Sequence, residues 1–251
     1  MHWTDDAIVL ASRKHGETSA VVNLLTRDHG RHAGLVRGGA SRRLKGVLQA
    51  GNEVSASWRG RLAEHLGTLT IELRAAHAAS LMEDSMRLSA LVSACALVEA
   101  TLPEREPHPG LFQGLAVLLQ SLHEGAAEWP AVYVRWEVGL LSELGFGLDL
   151  SACAVTGETS GLTHVSPKTG RAVSSGAAAP YAEKLFRLPP FLAGGEVGDP
   201  LADIADGLAL TGFFLDRYAF APHRRSIPAA RARLVERFTR RTTTSGVREG
   251  A

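Results

Sequence analysis

SAVVNLLTRDHGRHAGLVRGGASRRLKG, residues 19–46, decides how the first third of this chain is read. Ser19 to Thr26 is an apolar run of strand length, rich in Val and Leu. His29-Gly30 turns the chain, His32 to Arg37 reads as the next strand, and Gly38-Gly39 ends it. From Arg27 to Gly46 the stretch holds Arg27, Arg31, Arg37, Arg42, Arg43 and Lys45 against one acid, Asp28. Six cations on one face make a site for a polyanion, and glycines let backbone approach a ligand closely. A solvated loop between strands is the alternative reading of such a charge run.

The same rhythm extends to both sides. Ala7 to Leu10 reads as a strand before a turn at Lys14 to Glu17. After Val47 to Gln49 comes a turn at Gly51-Asn52. Glu53 to Arg59 alternates, Gly60-Arg61 turns, and Leu66 to Leu73 puts Leu69, Ile71 and Leu73 on one face. Five short strands at roughly ten-residue spacing predict a small all-β unit. Closure into a barrel removes the exposed edges of such a sheet. The five-stranded oligonucleotide-binding (OB) barrel is one such closure, and strand count alone does not choose it over other small barrels. In that barrel the face of strands 2–3 and the neighbouring loops hold nucleic acid. Arg13, Arg31, Arg37, Arg42, Arg43 and Lys45 are the candidate contacts. Only Trp3 and Trp58 offer aromatic rings among the first eighty residues' Trp, Tyr and Phe. The expected contact is therefore mainly electrostatic and sequence-independent, with Trp58 in the core.

The 251 residues are 45% hydrophobic and 21% charged, an ordinary globular composition. No apolar run is long enough to span a bilayer, and MHWTDDAIVL has acids where a secretory signal has cations. Two cysteines, Cys95 and Cys153, give no disulfide framework. A cytoplasmic, nucleoid-associated protein is expected. The net charge of +1 conceals an asymmetry. Residues 1–80 carry eleven Lys/Arg against seven Asp/Glu, residues 81–216 seven against seventeen, and residues 217–251 nine against two. A basic head and a basic tail point to two ends that face a polyanion, or to a tail folded back on the acidic middle.

Beyond Ala75 the period changes to that of helices. Leu81, Leu88, Leu91, Cys95, Val98 and Leu102 form one stripe, stopped by Pro103. Leu111 to Leu122 is a second helix. Pro130 opens a third, which Gly145 and Gly147 end. Leu201 to Phe220 is a fourth, and Pro228 opens a last with Leu234, Val235 and Phe238 on its stripe. There Arg233, Arg237 and Arg240 form a second basic flank that would extend the nucleic-acid contact. Between the third and fourth helices, short strands are read around Leu162 to Val165 and Gly170 to Val173. The chain has no HExxH, no GxSxG and no GxxxxGK[ST]. Catalytic residues and cofactors are expected to be none. An RNA- or protein-binding adaptor is the alternative function, and a magnesium nuclease using Asp5, Asp6 and Glu17 a third.

Several segments carry a resemblance. IVLASRKHGETSAVVNLLTRDHGRHAGLVRGGAS and LQAGNEVSASWRGRLAEHLGTLTIEL resemble the start of RecO, the bacterial recombination mediator family. ELGFGLDLSACAVTG, VSPKTGRAVS, LPPFL and TGFFLDRY resemble its C-terminal region. The resemblance covers nearly the whole chain, in order. It implies a multidomain α+β protein. An N-terminal OB-fold β-barrel (1–79) would precede an all-α helical domain (80–241); the polar composition of 242–251 reads separately as a disordered tail. It also implies binding of single- and double-stranded DNA, annealing of complementary strands, and loading of the recombinase RecA with the partner RecR. A further implied ligand is the acidic C-terminal tail of the single-stranded DNA-binding protein. Such a tail needs an apolar groove with a cation at its lip, for which Arg217, Arg224 and Arg225 beside Phe214 are the candidates. Many family members hold zinc with two Cys-x-x-Cys pairs. Here the first pair would be Cys153 and Thr156, and no second follows, so 148–176 is expected to be a degenerate zinc-finger-like insertion without metal.

Overall fold

In the computed structural model, residues 1–62 and 64–246 are described, 241–246 through their backbone only. The chain divides into two compact units. Met1–Ala126 with Pro228–Arg231 form the first, and Ala127–Ile227 with Ala232–Ala251 the second.

The first unit is built on a closed barrel of strand order β1-β2-β3-β5-β4. Its strands are β1 (His2–His15), β2 (Ser19–Thr26), β3 (Arg31–Val36), β4 (Glu53–Arg59) and β5 (Thr68–Ala75). Strand β1 is far longer than the apolar run at Ala7 to Leu10, because it serves two neighbours. His2 to Ile8 lie opposite Arg59 to Glu53 of β4, and Ala7 to His15 lie opposite Thr26 to Ser19 of β2. The register shifts between Val9 and Ala11, a bulge that turns the strand from one partner to the next. A parallel contact of Leu35 with Thr68 closes the ring. Inward residues Val9, Val22, Leu24, Val54, Trp58 and Leu69 fill the interior at no more than 2% exposure.

Helix α1 (Arg42–Val47) follows β3, where sequence pattern gives no helix. Its six residues contain Gly46 and three cations, too short and too polar for a periodic signal. Leu44 and Val47 pack against the barrel core, and that burial forms the helix. Then come α2 (His77–Ser80), α3 (Ser85–Thr101) and α4 (Pro109–Glu124). Asp84 caps α3, accepting from the N–H groups of Met86 and Arg87 at 3.0 Å. Helix α3 buries Met86, Ala90, Leu91, Ser93, Ala94, Cys95, Leu97 and Val98, more than one stripe.

Part of that surface covers the outer side of the barrel. The Cys95 thiol lies 3.8 Å from the Val9 carbonyl, and Asn23 of β2 donates to Glu99 at 2.6 Å. The domain boundary expected at residue 79 is therefore not where the compact units part: α2 to α4 belong with the strands.

The second unit holds α5 (Trp129–Glu143), α7 (Pro200–Leu215) and, from Ala232 on, α8 (Ala229–Gly246), with α6 (Ser175–Ala178) as one short turn. Gly207 lets α7 approach α5, since a Cβ there would come within 2.8 Å of Val134. Asp216–Phe220, expected to continue the helix, forms a π turn. The unit is not all-α. Strands β6 (Leu162–Val165), β7 (Ala172–Ser174) and β8 (Phe186–Arg187) make a three-stranded sheet of order β7-β6-β8. Helix α8 runs to Gly246, so residues 242–246 of the expected tail continue a helix that is already nucleated. Residues 247–251 lie outside the described residues.

Candidate nucleic-acid interface

The basic residues of the first unit separate into two groups. Arg13, Arg37, Arg42, Arg43 and Lys45 are exposed, and among the described residues none of them makes an ion pair. Strand register brings them to one end of the barrel. His15 lies opposite Ser19, Ala20 lies opposite Val36, and the Ala40 N–H donates to the Thr18 carbonyl at 2.9 Å. The β1–β2 turn is thus held against the loop that leads into α1. Ser41 accepts from the Leu44 N–H at 3.4 Å and starts the helix. With Leu44 and Val47 turned to the core, Arg42, Arg43 and Lys45 remain in solvent. Lys14, also exposed, lies opposite Ala20 in the β1–β2 pairing, at the same end of β1 as Arg13. Arg13 lines a cleft of about 380 Å³ with Ala11, Ser12, Val21, Asn23 and Glu99.

Arg31 is a correction. Its side chain is 16% exposed, its Nε donates to the Leu102 carbonyl at 2.9 Å, and it pairs with Glu104 at 3.5 Å. It ties β3 to the segment after α3 and does not face solvent as a phosphate contact would. The face of strands 2–3 is also less open than a bare barrel implies. The outward side chains Val21 and Leu25 are 5% and 0% exposed.

At the β2–β3 turn the chemistry differs. Gly30 has φ +67°, and a Cβ there would lie 2.1 Å from the Glu106 carbonyl oxygen. Asp5, its side chain 4% exposed, accepts from the Asp28 N–H at 2.8 Å and bonds His29 Nδ1 at 2.9 Å. Asp6 pairs with Arg27 at 3.2 Å. Glu17 lies in the β1–β2 turn, roughly 30 Å along an extended strand from Asp5. The three acids of the nuclease reading therefore do not converge. His32 is 4% exposed, and neither ring nitrogen has a partner. Burial, helped by the charge of Arg105, lowers it to about 4.

In the second unit, Arg233, Arg237 and Arg240 project from α8 at spacings of four and three, exposed, while Leu234 and Phe238 are buried. Arg240 pairs with Glu236 at 2.6 Å. Arg224 and Arg225 are exposed, and the Arg225 N–H donates to the Phe220 carbonyl. Arg217 donates to the Pro167 carbonyl at 3.2 Å, with its guanidinium 5.5 Å from the Tyr218 ring centre. Phe214 is 0% exposed, packed against Phe213, Phe186 and Tyr218, and is core rather than groove lining. An accessible ring beside Tyr218 is Phe146, 39% exposed and stacked on it at 4.8 Å. Sequence gave it no distinguishing signal.

The residues around Cys153 do not fit a zinc site. The Cys153 sulfur takes the Ser174 N–H at 3.2 Å, Thr156 donates to Glu158, and Gly157 turns the chain at φ +77°. Val173 and Ala178 pack around the thiol, which is 1% exposed. Among the described residues no group of three or more His, Cys, Asp or Glu is placed to hold a metal. Four N or S ligands would be needed. No described helix is long and apolar enough to cross a membrane.

The chain is similar to known proteins along its length. Residues 1–76 match the family described as Recombination protein O N terminal, and residues 82–227 match Recombination protein O C terminal. A DNA repair protein RecO of Rhodospirillum centenum is 56% identical over 249 residues, 98% of each chain. One from Rhodospirillum rubrum is 48% identical over 245 residues, covering 96% of this chain and 97% of the relative. One from Phenylobacterium zucineum is 50% identical over 239 residues, covering 95% and 98%.

Proposed function

This chain belongs to the RecO family of DNA repair proteins, and on that premise we propose that it is a non-catalytic recombination mediator. In this reading it binds single- and double-stranded DNA, anneals complementary strands, and helps RecR load RecA onto DNA coated by the single-stranded DNA-binding protein. The observation that carries the DNA contact is the cluster of Arg13, Arg37, Arg42, Arg43 and Lys45 at one end of the barrel, exposed and unpaired among the described residues. The strand order β1-β2-β3-β5-β4 supports an OB-type barrel. Cations that neutralise phosphates lower the repulsion between two strands and leave base edges free to pair. Annealing on this account needs no nucleophile, base or cofactor. The flank of Arg233, Arg237 and Arg240 supplies further phosphate contacts. The Cys153 turn is a metal-free counterpart of the zinc-binding segment.

Fluorescence anisotropy with oligo-dT at several salt concentrations tests the DNA contact. Arg42→Glu/Arg43→Glu should weaken binding and lower the salt slope by about two, one per lost phosphate contact. Unchanged affinity refutes the assignment. Equal competition by single-stranded RNA would favour an RNA-binding adaptor instead. For the acidic partner tail, the reading places its carboxylates at Arg217, Arg224 and Arg225 and its apolar end on Phe146 and Tyr218. A tail peptide that binds wild type and Arg224→Glu/Arg225→Glu equally well removes that placement.

A further inference from the structure

Three rings form a nearly parallel column at the β2–β3 turn. His29 stacks on Trp3 with centres 4.3 Å apart and planes at 12°. Trp3 lies 5.9 Å from Trp58 at 13°. The inner member, Trp58, is 1% exposed in the barrel core, and its Nε1 donates to the Leu66 carbonyl at 3.0 Å. His32 braces the column from the side, edge-on to Trp3 and to Trp58, each at 5.0 Å. The outer member, His29, keeps 36% of its side chain exposed.

Its orientation is fixed before any ligand arrives. Nδ1 bonds the buried Asp5 carboxylate at 2.9 Å, and the His29 N–H donates to Thr26 Oγ1 at 3.0 Å. A rigid ring with one face covered by Trp3 and about a third of its side chain in water can receive a base at little entropic cost.

We propose that His29 is a stacking platform for one unpaired base of single-stranded DNA. This rests on the DNA-binding reading above and deepens it: the cations at α1 hold phosphate, and the column at the opposite turn of β2 holds a base. Flat π-faces stack on such rings irrespective of sequence. Bases inside a duplex are already stacked on their neighbours, so the contact favours single strands and frayed ends.

The test compares oligo-dT with an abasic oligonucleotide of equal length and charge. Stacking of one base is worth about 1–3 kcal/mol, so wild type should prefer oligo-dT by roughly five-fold or more. His29→Asn keeps a polar group for Asp5 but has no ring; it should bring the two affinities together and leave the abasic affinity and the salt slope unchanged. His29→Phe keeps a ring without the hydrogen bond and should restore the preference. A wild type without preference, a His29→Asn variant that keeps it, or a His29→Phe variant that fails to restore it overturns the assignment. If wild type binds neither oligonucleotide, the phosphate reading itself fails and this one falls with it. A normal salt slope with no base preference removes only the platform.

Discussion

Acid should destabilise this protein through His32. The ring sits edge-on to both Trp3 and Trp58, both nitrogens unpartnered, and burial holds its pKa at about 4 against 6.5 for a free imidazole. The charges of Arg105 and His29 push the same way and Glu104 opposes them. Because the folded-state value is depressed, the unfolded chain takes up the proton first. The folded state keeps its full advantage above pH 6.5 and loses it as pH falls toward 4. Linkage over that window gives a loss of about 2 kcal/mol at pH 5 and about 3 kcal/mol at pH 4. His32→Phe fills the same aromatic slot without a titrating group. Urea unfolding of both proteins at pH 7.5 and pH 5 isolates the term, since every other titrating group is common to the pair. Wild type should lose about 2 kcal/mol more than the variant over that interval. Parallel losses, within a few tenths of a kcal/mol, would show that His32 is not buried neutral and that the packing around Trp3 and Trp58 is wrong.

Three other outcomes follow from the same geometry. Arg31→Ala removes the bond to the Leu102 carbonyl and should cost about 1–3 kcal/mol of stability in chemical denaturation, while the salt slope of DNA binding stays as in wild type. Phe214→Ala opens a cavity in the second unit; a loss of about 3–5 kcal/mol by calorimetry is expected, and a variant as stable as wild type would return Phe214 to the surface. Finally, a chelator should leave the melting temperature unchanged and metal analysis should find no stoichiometric zinc, because Cys153 already accepts the Ser174 N–H and has no second thiol beside it. Stoichiometric zinc in the purified protein would contradict that packing.

Sequence by itself determined the strands from Ser19 onward, the helices that follow Ala75, and the exposed cations of residues 37–45. Period, turn residues and charge are local properties, and they survive whatever the rest of the chain does. The family resemblance was legible for the same reason, as ordered segments of one chain. Only the tertiary structure decided the rest. The full length of β1 depends on two different neighbours, and α1 exists because Leu44 and Val47 find the open end of a barrel. Whether an arginine meets solvent or a carbonyl is likewise a question of what lies across from it. Arg31 and Arg37 look alike six residues apart, yet one is bound to Leu102 and Glu104 and the other is exposed. The His29–Trp3–Trp58 column joins three distant strand ends and turns, so no window of sequence contains it. Long-range packing sets which side of each residue is dry, and that is the information a linear pattern lacks.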